Sequence, residues 1–162
     1  MSVPLVLQPI GVIRTPFLQQ EGTPIQPSMS RDTAGRVSVY APYRAALADL
    51  EGFERIWLIF HLDRSGPWRP RVVPYRDVTE RGMFATRAPS RPNPIGISVV
   101  RLLSVAEGEL EVQGVDMLDG TPLLDIKPYV PEFDAHPSSR AGWLDEVGSG
   151  RRKADGRFGG SL

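Results

Sequence analysis

Three polar side chains stand at every second position of one short segment. Asp125, Lys127 and Tyr129 supply a carboxylate, an amine and a phenol. In an extended chain alternate side chains lie on one face, so these groups can bind one polar ligand or handle a proton. The alternative is a surface ion pair between Asp125 and Lys127, which contributes little to stability. His61 ends an apolar segment and is a further candidate base, although a lone histidine there is more often a hydrogen-bonded boundary residue.

A proline-rich segment, TRAPSRPNPIGIS at residues 86–98, is the second candidate site. Its three prolines fix φ and remove backbone donors, which excludes a helix or a central strand. Arg87 and Arg91 can bind a carboxylate or a phosphate, and Asn93 and Ser98 carry both donor and acceptor groups. The alternative is a structural crossover in which the arginines bind nearby carbonyls. In both cases the segment predicts polar groups displayed on a stiff backbone.

Charge is balanced over the whole chain but uneven along it. The 162 residues carry 19 basic and 19 acidic side chains, while segment 64–91 holds seven arginines against two acids, a local charge of +5. Trp68 and Tyr75 lie in that segment, and arginine with interleaved aromatic rings suits phosphate pairing and base stacking. The alternative is a solvated loop in an arginine-rich chain. The pattern indicates a local nucleic-acid contact rather than a protein coated in positive charge.

Composition argues against several classes of protein. The absence of cysteine excludes a disulfide framework and a thiolate zinc site, and two histidines are too few for most histidine-rich metal sites, so we expect no metal. The N-terminus lacks a basic segment before its apolar residues, which argues against a signal peptide. No apolar run approaches the roughly 20 residues that cross a bilayer. We therefore expect a cytoplasmic protein without a membrane partner.

Hydrophobic patterning predicts a mainly β fold with one short helix. Strands are predicted at 3–14, 35–40, 53–62, 82–86, 97–105, 109–116 and 123–126, with a loop at 19–31 and a hairpin turn around 106–108. The near-continuous apolar run at 53–62 is typical of a strand buried on both faces. A helix is predicted at 42–50, because Pro42 stands near its start and Gly52 follows its end.

These elements predict a small sheet or an open, compact β-barrel-like domain. The strands do not alternate with long helices, and no glycine-rich dinucleotide fingerprint follows a strand, so a Rossmann fold is not expected. Residues beyond Pro137 are rich in Gly, Ser and Arg and predict a mobile tail. The expected organisation is one domain at 1–137 followed by a tail at 138–162.

Two long motifs carry a resemblance to a known family. The segments FATRAPSRPNPIGIS (84–98) and DMLDGTPLLDIKPYVP (116–131), supported by IGVIRTPF, WLIFHLD and WRPRVVP, are similar to the TsaA-like, or TrmO, family of S-adenosylmethionine-dependent tRNA methyltransferases. The resemblance implies a β-barrel-like fold and a homodimer that binds the cofactor near the subunit interface. The reaction it implies is methyl transfer to N6 of threonylcarbamoyladenosine beside the anticodon of tRNA.

The resemblance also implies roles for individual residues. It places the cofactor against Thr15, Pro16, Phe17, His61, Leu62, Arg87, Ile97, Asp119, Gly120, Thr121, Pro122, Leu123 and Leu124. In this set Phe17, Ile97 and Leu123 are expected to contact the adenine, and Arg87 is expected to bind the carboxylate. Asp125 and His61 are the candidate bases, with Lys127 and Tyr129 as orienting groups. From the charge pattern and the proline-rich segment, and not from the resemblance, substrate RNA is expected to contact Arg69, Arg71, Arg76, Arg91 and Asn93.

The resemblance implies that longer members of the family carry a further C-terminal domain that helps hold the tRNA. Because this chain ends at Leu162, we expect it to lack an equivalent, and the arginine-rich tail is a candidate substitute. Two alternatives therefore stay open. The same core can act on another RNA or a small molecule, or the protein can be a non-catalytic module that binds the cofactor or RNA.

Overall fold

Residues 2–24, 30–147 and 155–159 are described by the computed structural model. In these residues the strands are β1 (Gly11–Arg14), β2 (Ala34–Val39), β3 (Arg55–His61), β4 (Arg71–Val72), β5 (Arg81–Gly82), β6 (Ile95–Ala106), β7 (Glu109–Gln113) and β8 (Thr121–Pro128). The short α-helices are α1 (Pro131–Asp134) and α2 (Leu144–Val147). Single 3-10 helices cover Ala41–Leu47, Leu50–Gly52, Met83–Ala85 and Gly156–Phe158.

Six strands close into an antiparallel barrel in the order β1-β2-β7-β6-β3-β8, and β8 pairs back to β1. Closure leaves no strand of the barrel with a free edge. The expectation of a mainly β, barrel-like, non-Rossmann fold is confirmed. None of the described helices is long and apolar enough to cross a bilayer.

The barrel interior is the main hydrophobic core. Its fully enclosed side chains come from every strand of the barrel and from the loop after β7, and include Ile13, Val37, Ile56, Leu58, Val100, Leu110, Val112, Val115 and Leu123. Alternation along β3 buries Ile56, Leu58 and Phe60, whereas the residues between them are only half-buried. The prediction that segment 53–62 is buried on both faces is therefore wrong, because one face of an antiparallel barrel strand points away from the core.

The β6–β7 connection is the hairpin expected from the sequence. Ala106 pairs with Glu109, which leaves Glu107 and Gly108 as a two-residue turn. Both turn residues have positive φ angles, 52° and 85°, as a type I′ turn requires. Glycine is favoured at the second of these positions because it adopts positive φ without steric cost.

Two predicted elements near the N-terminus differ in extent or type. The predicted strand 3–14 is reduced to β1, because β2 ends at Val39 opposite Gly11 and gives way to a 3-10 helix. Val3, Leu5 and Val6 are exposed. The predicted α-helix at 42–50 is instead two 3-10 helices, separated near Asp49, which has a left-handed backbone with φ 68°.

A second apolar cluster lies outside the barrel, under the long connection between β3 and β6. It joins Val72, Met83 and Ala88 to Phe158, with Tyr75 packed against them. The predicted strand 82–86 is wrong, since β5 ends at Gly82 and a 3-10 helix follows. This connection is thus a small folded unit with its own core.

Part of the predicted mobile tail is docked on this connection. The carbonyl of Phe158 accepts hydrogen bonds from the Gly66 amide at 2.8 Å and from Ser90 Oγ at 3.1 Å. Gly159 forms an isolated antiparallel bridge with Ser65. Residues 155–159 are therefore part of the folded unit, while 148–154 and 160–162 lie outside the described residues. The domain boundary between 137 and 138 stays a prediction.

Candidate active site

A cavity of about 330 Å³ opens where the end of β3 meets the starts of β6 and β8. Its walls come from residues 20–24, 60–65, 86–98 and 116–121. Its volume lies in the range of pockets that hold small molecules and cofactors. The cavity therefore joins segments far apart in the sequence, including both long motifs.

The proline-rich segment forms one wall of this cavity. Arg91 donates hydrogen bonds to the carbonyls of Thr86 at 2.7 Å and Ala88 at 3.1 Å, which fixes the loop from within. Arg91 thus agrees with the structural alternative for this segment, in which its arginines bind nearby carbonyls. Arg91 also lines the cavity. Arg87 lines the same cavity with an exposed side chain, which makes it the better placed of the two to bind an anion.

Asp116 lines the cavity, and the sequence analysis missed it. Ser98 Oγ donates to Asp116 Oδ1 at 2.6 Å, and Ser98 is 2% exposed. Burial raises the pKa of Asp116 to about 7, whereas the Ser98 hydrogen bond, its own backbone amide and the charge of Arg87 lower it. A carboxyl with such a pKa can exchange a proton near neutral pH.

The signal that could have found Asp116 is weak. It is the first residue of the motif DMLDGTPLLDIKPYVP, three positions before Asp119, and that motif was singled out for its resemblance to the family. Asp116 was placed inside a predicted strand, but β7 ends at Gln113 and Asp116 lies in the loop that follows. Asp116 and Ser98 are 18 positions apart in the sequence, so no local sequence pattern predicts their contact.

Gln20 supplies a polar group that is suited to a ligand. Its Nε2 donates to the Tyr75 hydroxyl at 3.3 Å, and that hydroxyl donates to the Asp155 carbonyl at 3.3 Å. Among the described residues, Gln20 Oε1 is buried with no hydrogen-bond partner, and Gln20 lines the cavity. Burial raises the pKa of Tyr75, so the phenol is neutral at physiological pH. The side-chain amide of Gln20 thus leaves one acceptor for a bound molecule.

The IGVIRTPF motif, residues 10–17, and the turn at Asp119 and Gly120 are joined to each other. The Thr15 amide donates to Asp119 Oδ1 at 3.1 Å, and the Asp119 amide donates to the Phe17 carbonyl at 2.7 Å. Arg64 donates to the Asp119 carbonyl at 2.7 Å and to Thr121 Oγ1 at 3.3 Å. These bonds hold the turn against the mouth of the cavity, where Arg64 and Thr121 are both lining residues.

The structure separates the expected cofactor residues into two groups. Those that line the cavity are Leu62, Arg87, Ile97 and Thr121, and those that do not are Thr15, Pro16, Phe17, His61, Asp119, Gly120, Pro122, Leu123 and Leu124. Leu123 is fully enclosed in the barrel core. That position corrects the expectation that its side chain contacts adenine, because its face of β8 points into the barrel. Cofactor contact by the other residues stays a prediction.

The four expected catalytic residues do not line the cavity. Lys127 Nζ lies 2.9 Å from Asp125 Oδ2, and both side chains are exposed, as in the surface-pair alternative. Tyr129 packs on Trp57 with ring centroids 5.8 Å apart. His61 is half-buried and pairs with Ile95 at the end of β3. Their catalytic roles stay predictions.

A second cavity, of about 440 Å³, adjoins the first. It is lined by four aromatic rings, those of Tyr75, Phe84, Trp143 and Phe158, together with Arg76 and Arg87. Tyr75, Thr86 and Arg87 line both cavities. The guanidinium of Arg81 lies 5.3 Å from the Trp143 ring centroid, and that of Arg91 lies 5.9 Å from the Phe84 ring centroid. The arrangement combines flat apolar rings with positive charge.

The expected RNA-binding residues have different environments. Arg69 and Asn93 are exposed, and Arg76 lines the second cavity. Arg71 is exposed but lies 3.0 Å from Glu80, just as Arg81 lies 2.7 Å from Asp77. Both acids of segment 64–91 are therefore paired with arginines of the same segment. Within the described residues, no group of three or more His, Asp or Glu side chains is placed to hold a metal ion.

Comparison with known proteins identifies the family. The family model described as the tRNA-methyltransferase O N-terminal domain matches residues 12–135. The chain belongs to this family. The resemblance found in the motifs is therefore confirmed, and the barrel agrees with solved TrmO structures. One, described as the crystal structure of TrmO, has a TM-score of 0.75 and 39% identity, and covers 88% of this chain and 65% of its own. The structure of TrmO from Pseudomonas aeruginosa has a TM-score of 0.75 and 40% identity, with 88% and 64% covered.

Curated relatives carry two kinds of name. A probable S-adenosyl-L-methionine-binding protein of Pyrococcus abyssi is 48% identical, and the match covers 98% of this chain and 88% of the relative. A tRNA (adenine(37)-N6)-methyltransferase of Escherichia coli is 39% identical, with 85% and 63% covered. The chain thus spans less than two thirds of the Escherichia coli enzyme and of both solved TrmO chains.

Proposed function

We propose that this TrmO-family protein is an S-adenosylmethionine-dependent methyltransferase that modifies N6 of an adenine beside the anticodon of tRNA. The observation that carries the proposal is the cavity in which Arg87, Asp116 and Gln20 surround apolar walls. Family membership and the name of the Escherichia coli relative support the reaction. The specific substrate we propose is threonylcarbamoyladenosine.

The cavity has groups that suit each part of the cofactor. Leu62 and Ile97 offer apolar surface to an adenine, and Arg87 offers a guanidinium to a carboxylate. The unpartnered amide oxygen of Gln20 suits an ammonium or an amino group. When bound, S-adenosylmethionine supplies a methyl group activated by a sulfonium. The protein then has to align the acceptor nitrogen and keep water out, and a stiff proline-rich wall serves both purposes.

The second cavity supports RNA as the substrate. Its aromatic rings suit base stacking, and its arginines suit phosphate contact. Because Arg87 lines both cavities, a nucleotide seated in the second cavity lies directly beside the first. The expected RNA contacts at Arg69, Arg76 and Asn93 extend this surface.

A second candidate function is cofactor binding without catalysis. It is favoured by the Pyrococcus abyssi relative and by an Archaeoglobus fulgidus relative, which is 41% identical with 93% of its own length covered. Both are named for S-adenosylmethionine binding alone. A further alternative is that the same core is a methyltransferase that acts on another RNA or on a small molecule.

The assembly and location that we propose follow the family. We propose a homodimer, as the family resemblance implies, and Ile95, exposed beside the cavity, is an apolar side chain that a partner can cover. Light scattering at working concentration measures this state, and a fully active monomer would exclude it. We also propose a cytoplasmic location, since tRNA is the substrate.

Nucleoside mass spectrometry tests the function directly. Purified protein is incubated with isotopically labelled S-adenosylmethionine and two tRNA pools, one carrying threonylcarbamoyladenosine and one lacking it. We expect label at N6 of the modified nucleoside in the first pool. Label in both pools would support methyltransferase activity but would contradict threonylcarbamoyladenosine as the specific substrate. If calorimetry shows cofactor binding but neither pool is labelled, the non-catalytic alternative replaces the proposal.

A further inference from the structure

We propose that the carboxylate of Asp116 accepts the N6 proton during methyl transfer, and that Ser98 holds this carboxylate in position. The inference rests on the proposed function. It assigns a catalytic role to a residue that does not belong to the set expected from the sequence. The proposed proton acceptor therefore differs from the two bases expected from the sequence, Asp125 and His61, which do not line the cavity.

The position of Asp116 carries the inference. Asp116 lies in the loop between β7 and β8, and Ser98 lies on β6, so two different elements place the pair on the cavity wall. The 2.6 Å hydrogen bond from Ser98 Oγ occupies one side of Asp116 Oδ1. Ser98 is almost fully buried and therefore has little freedom to release the carboxyl. A fixed carboxyl on a ligand cavity has the geometry required of a general base.

Competing carboxyls are placed less well. Among the described residues, Asp63 is the other carboxylate that lines this cavity. It lies 3.4 Å from Arg64 and is about one third exposed, so it is paired and solvated. Asp116 is the carboxyl whose surroundings favour uptake of a proton.

The charges around Asp116 set its proton affinity. Burial raises its pKa to about 7, and the Ser98 hydrogen bond, the Asp116 amide and Arg87 act in the opposite direction. The other charged or titratable groups on the cavity wall are Asp63, Arg64, Arg91 and Tyr75. A general base is most effective when its pKa is close to the operating pH. A pKa of Asp116 that burial raises to about 7 agrees with this role.

The proposed step balances in atoms and charge. The N6 nitrogen of the carbamoylated adenine has one hydrogen and forms a bond to the methyl carbon. The bond from that carbon to the cofactor sulfur breaks, and the sulfur keeps the electron pair. The N6 proton passes to Asp116, so the products are a neutral N6-methyl adenine, a neutral thioether and a protonated carboxyl. Solvent then removes the proton from Asp116.

The test compares Asp116→Asn with Asp63→Asn, a matched change on the same cavity wall. Single-turnover methyl transfer is measured from pH 5.5 to 9 with saturating cofactor. We expect the wild-type rate to rise with pH through an inflection near 7, and Asp116→Asn to lose about 10²–10⁴-fold of the rate along with the inflection. Asp63→Asn is expected to keep the inflection.

Two readouts are independent of turnover. Carbon-13 NMR of labelled aspartate carboxyls follows the titration of Asp116, identified by the signal that Asp116→Asn removes, and we expect a midpoint near pH 7. In Ser98→Ala the midpoint should rise, because the hydrogen bond that favours the ionised form is lost. Calorimetry with S-adenosylmethionine is expected to give affinities for Asp116→Asn within about threefold of wild type.

Each failure has its own meaning. A wild-type protein that transfers no methyl group rejects the proposed function and the role of Asp116 with it. An active wild type with an unchanged Asp116→Asn rate, or an NMR midpoint below pH 5, rejects the role of Asp116 alone. A large loss of cofactor affinity in Asp116→Asn assigns the residue to cofactor binding and also overturns the inference.

Discussion

Gly96 lies directly against the ring of Phe60, its partner across the β3–β6 ladder. A Cβ atom built on Gly96 would overlap three ring carbons of Phe60. The ring cannot swing away at low cost, because Phe60 is 4% exposed in the barrel core. Both residues line the first cavity. Gly96 is therefore required because the Phe60 ring packs directly against its backbone, and this contact shapes the site. The sequence analysis had singled out this segment for its prolines.

Replacement of Gly96 by alanine is expected to damage both the barrel and the cavity. Overpacking of a filled core typically costs about 1–3 kcal/mol, and the displaced Phe60 ring should also weaken cofactor binding. Urea denaturation and calorimetry measure the two effects. Gly52→Ala is the control, since a Cβ at Gly52 meets nothing within 4 Å. Equal stability and affinity in both variants would show that the site tolerates the methyl group.

Cofactor affinity is expected to depend on Arg87. A charge-assisted hydrogen bond to a carboxylate contributes about 1.5–3 kcal/mol, so Arg87→Ala should weaken S-adenosylmethionine binding by roughly tenfold or more. The variant should also raise the pKa of Asp116, because the positive charge of Arg87 lowers it. Arg101→Ala, an exposed change on β6, is the control. Unchanged affinity in a folded Arg87→Ala protein would remove this residue from the site.

The stability of the protein should depend on pH through Asp116. The folded-state pKa of Asp116, about 7, lies above the ordinary aspartate pKa of 3.8, so the folded protein holds a proton that the unfolded chain releases. The contribution of this group is complete below about pH 4 and is lost as pH rises through 7. With about 1.4 kcal/mol for each pKa unit, the loss is at most about 4 kcal/mol.

Asp116→Asn removes this dependence and is the matched test. We expect the variant to gain stability relative to wild type between pH 5 and pH 8, measured by urea denaturation at both values. Comparison of the two proteins cancels the titration of all other groups to a first approximation. A constant difference in unfolding free energy between the two pH values would show that Asp116 is not buried as described.

The barrel was predictable in outline because its strands keep their alternation. Ile56, Leu58 and Phe60 recur at every second position, and the Glu107–Gly108 turn carries a local signal for a hairpin. Closure was not predictable, since it depends on β1 pairing with β8, about 110 positions along the chain. The docking of Phe158 was also not predictable, because a single apolar residue in a Gly- and Arg-rich tail gives no sequence signal for the residues it packs against.

The candidate site was predictable only where a motif contains it. Arg87 was found because it lies in the proline-rich segment, whereas Ile97 was given by the family resemblance. For Asp125 and Lys127, alternation correctly placed the two side chains together, but it does not tell which face of a strand meets the ligand. Asp116 lies in a loop and was missed because its environment comes from Ser98 on β6, a contact and a degree of burial that only the folded chain creates.

The Trp143 side chain is expected to contribute to RNA affinity. It lines the second cavity, and base stacking on an aromatic ring contributes about 1–3 kcal/mol. Trp143→Ala should therefore weaken binding of an anticodon stem-loop RNA by about fivefold or more, while cofactor affinity stays the same. Trp68→Ala is the matched control, since Trp68 is half-exposed and lies outside both cavities. Equal losses in the two variants would indicate a diffuse contact rather than an occupied cavity.

Binding of tRNA is expected to be salt-sensitive through the arginines of segment 64–81. Each phosphate contact that is lost should reduce the slope of log affinity against log salt by roughly 0.7–0.9. We would replace Arg69, Arg71 and Arg76 together with glutamine and titrate tRNA across salt concentrations. Because Arg71 is paired with Glu80, its share of the change should be the smallest, and single variants measure it.

Truncation after residue 137 is a poor control for this experiment, because it removes Phe158 and uncovers Val72, Met83 and Ala88. Arg157→Gln is the better probe of the tail. Arg157 pairs with Asp155 at 2.7 Å and lies 5.3 Å from the Tyr75 ring centroid, so its guanidinium is engaged within the protein. We expect this variant to change stability more than the salt slope. If the slope instead falls with Arg157→Gln and not with the triple variant, the tail and not segment 64–81 contacts the phosphates.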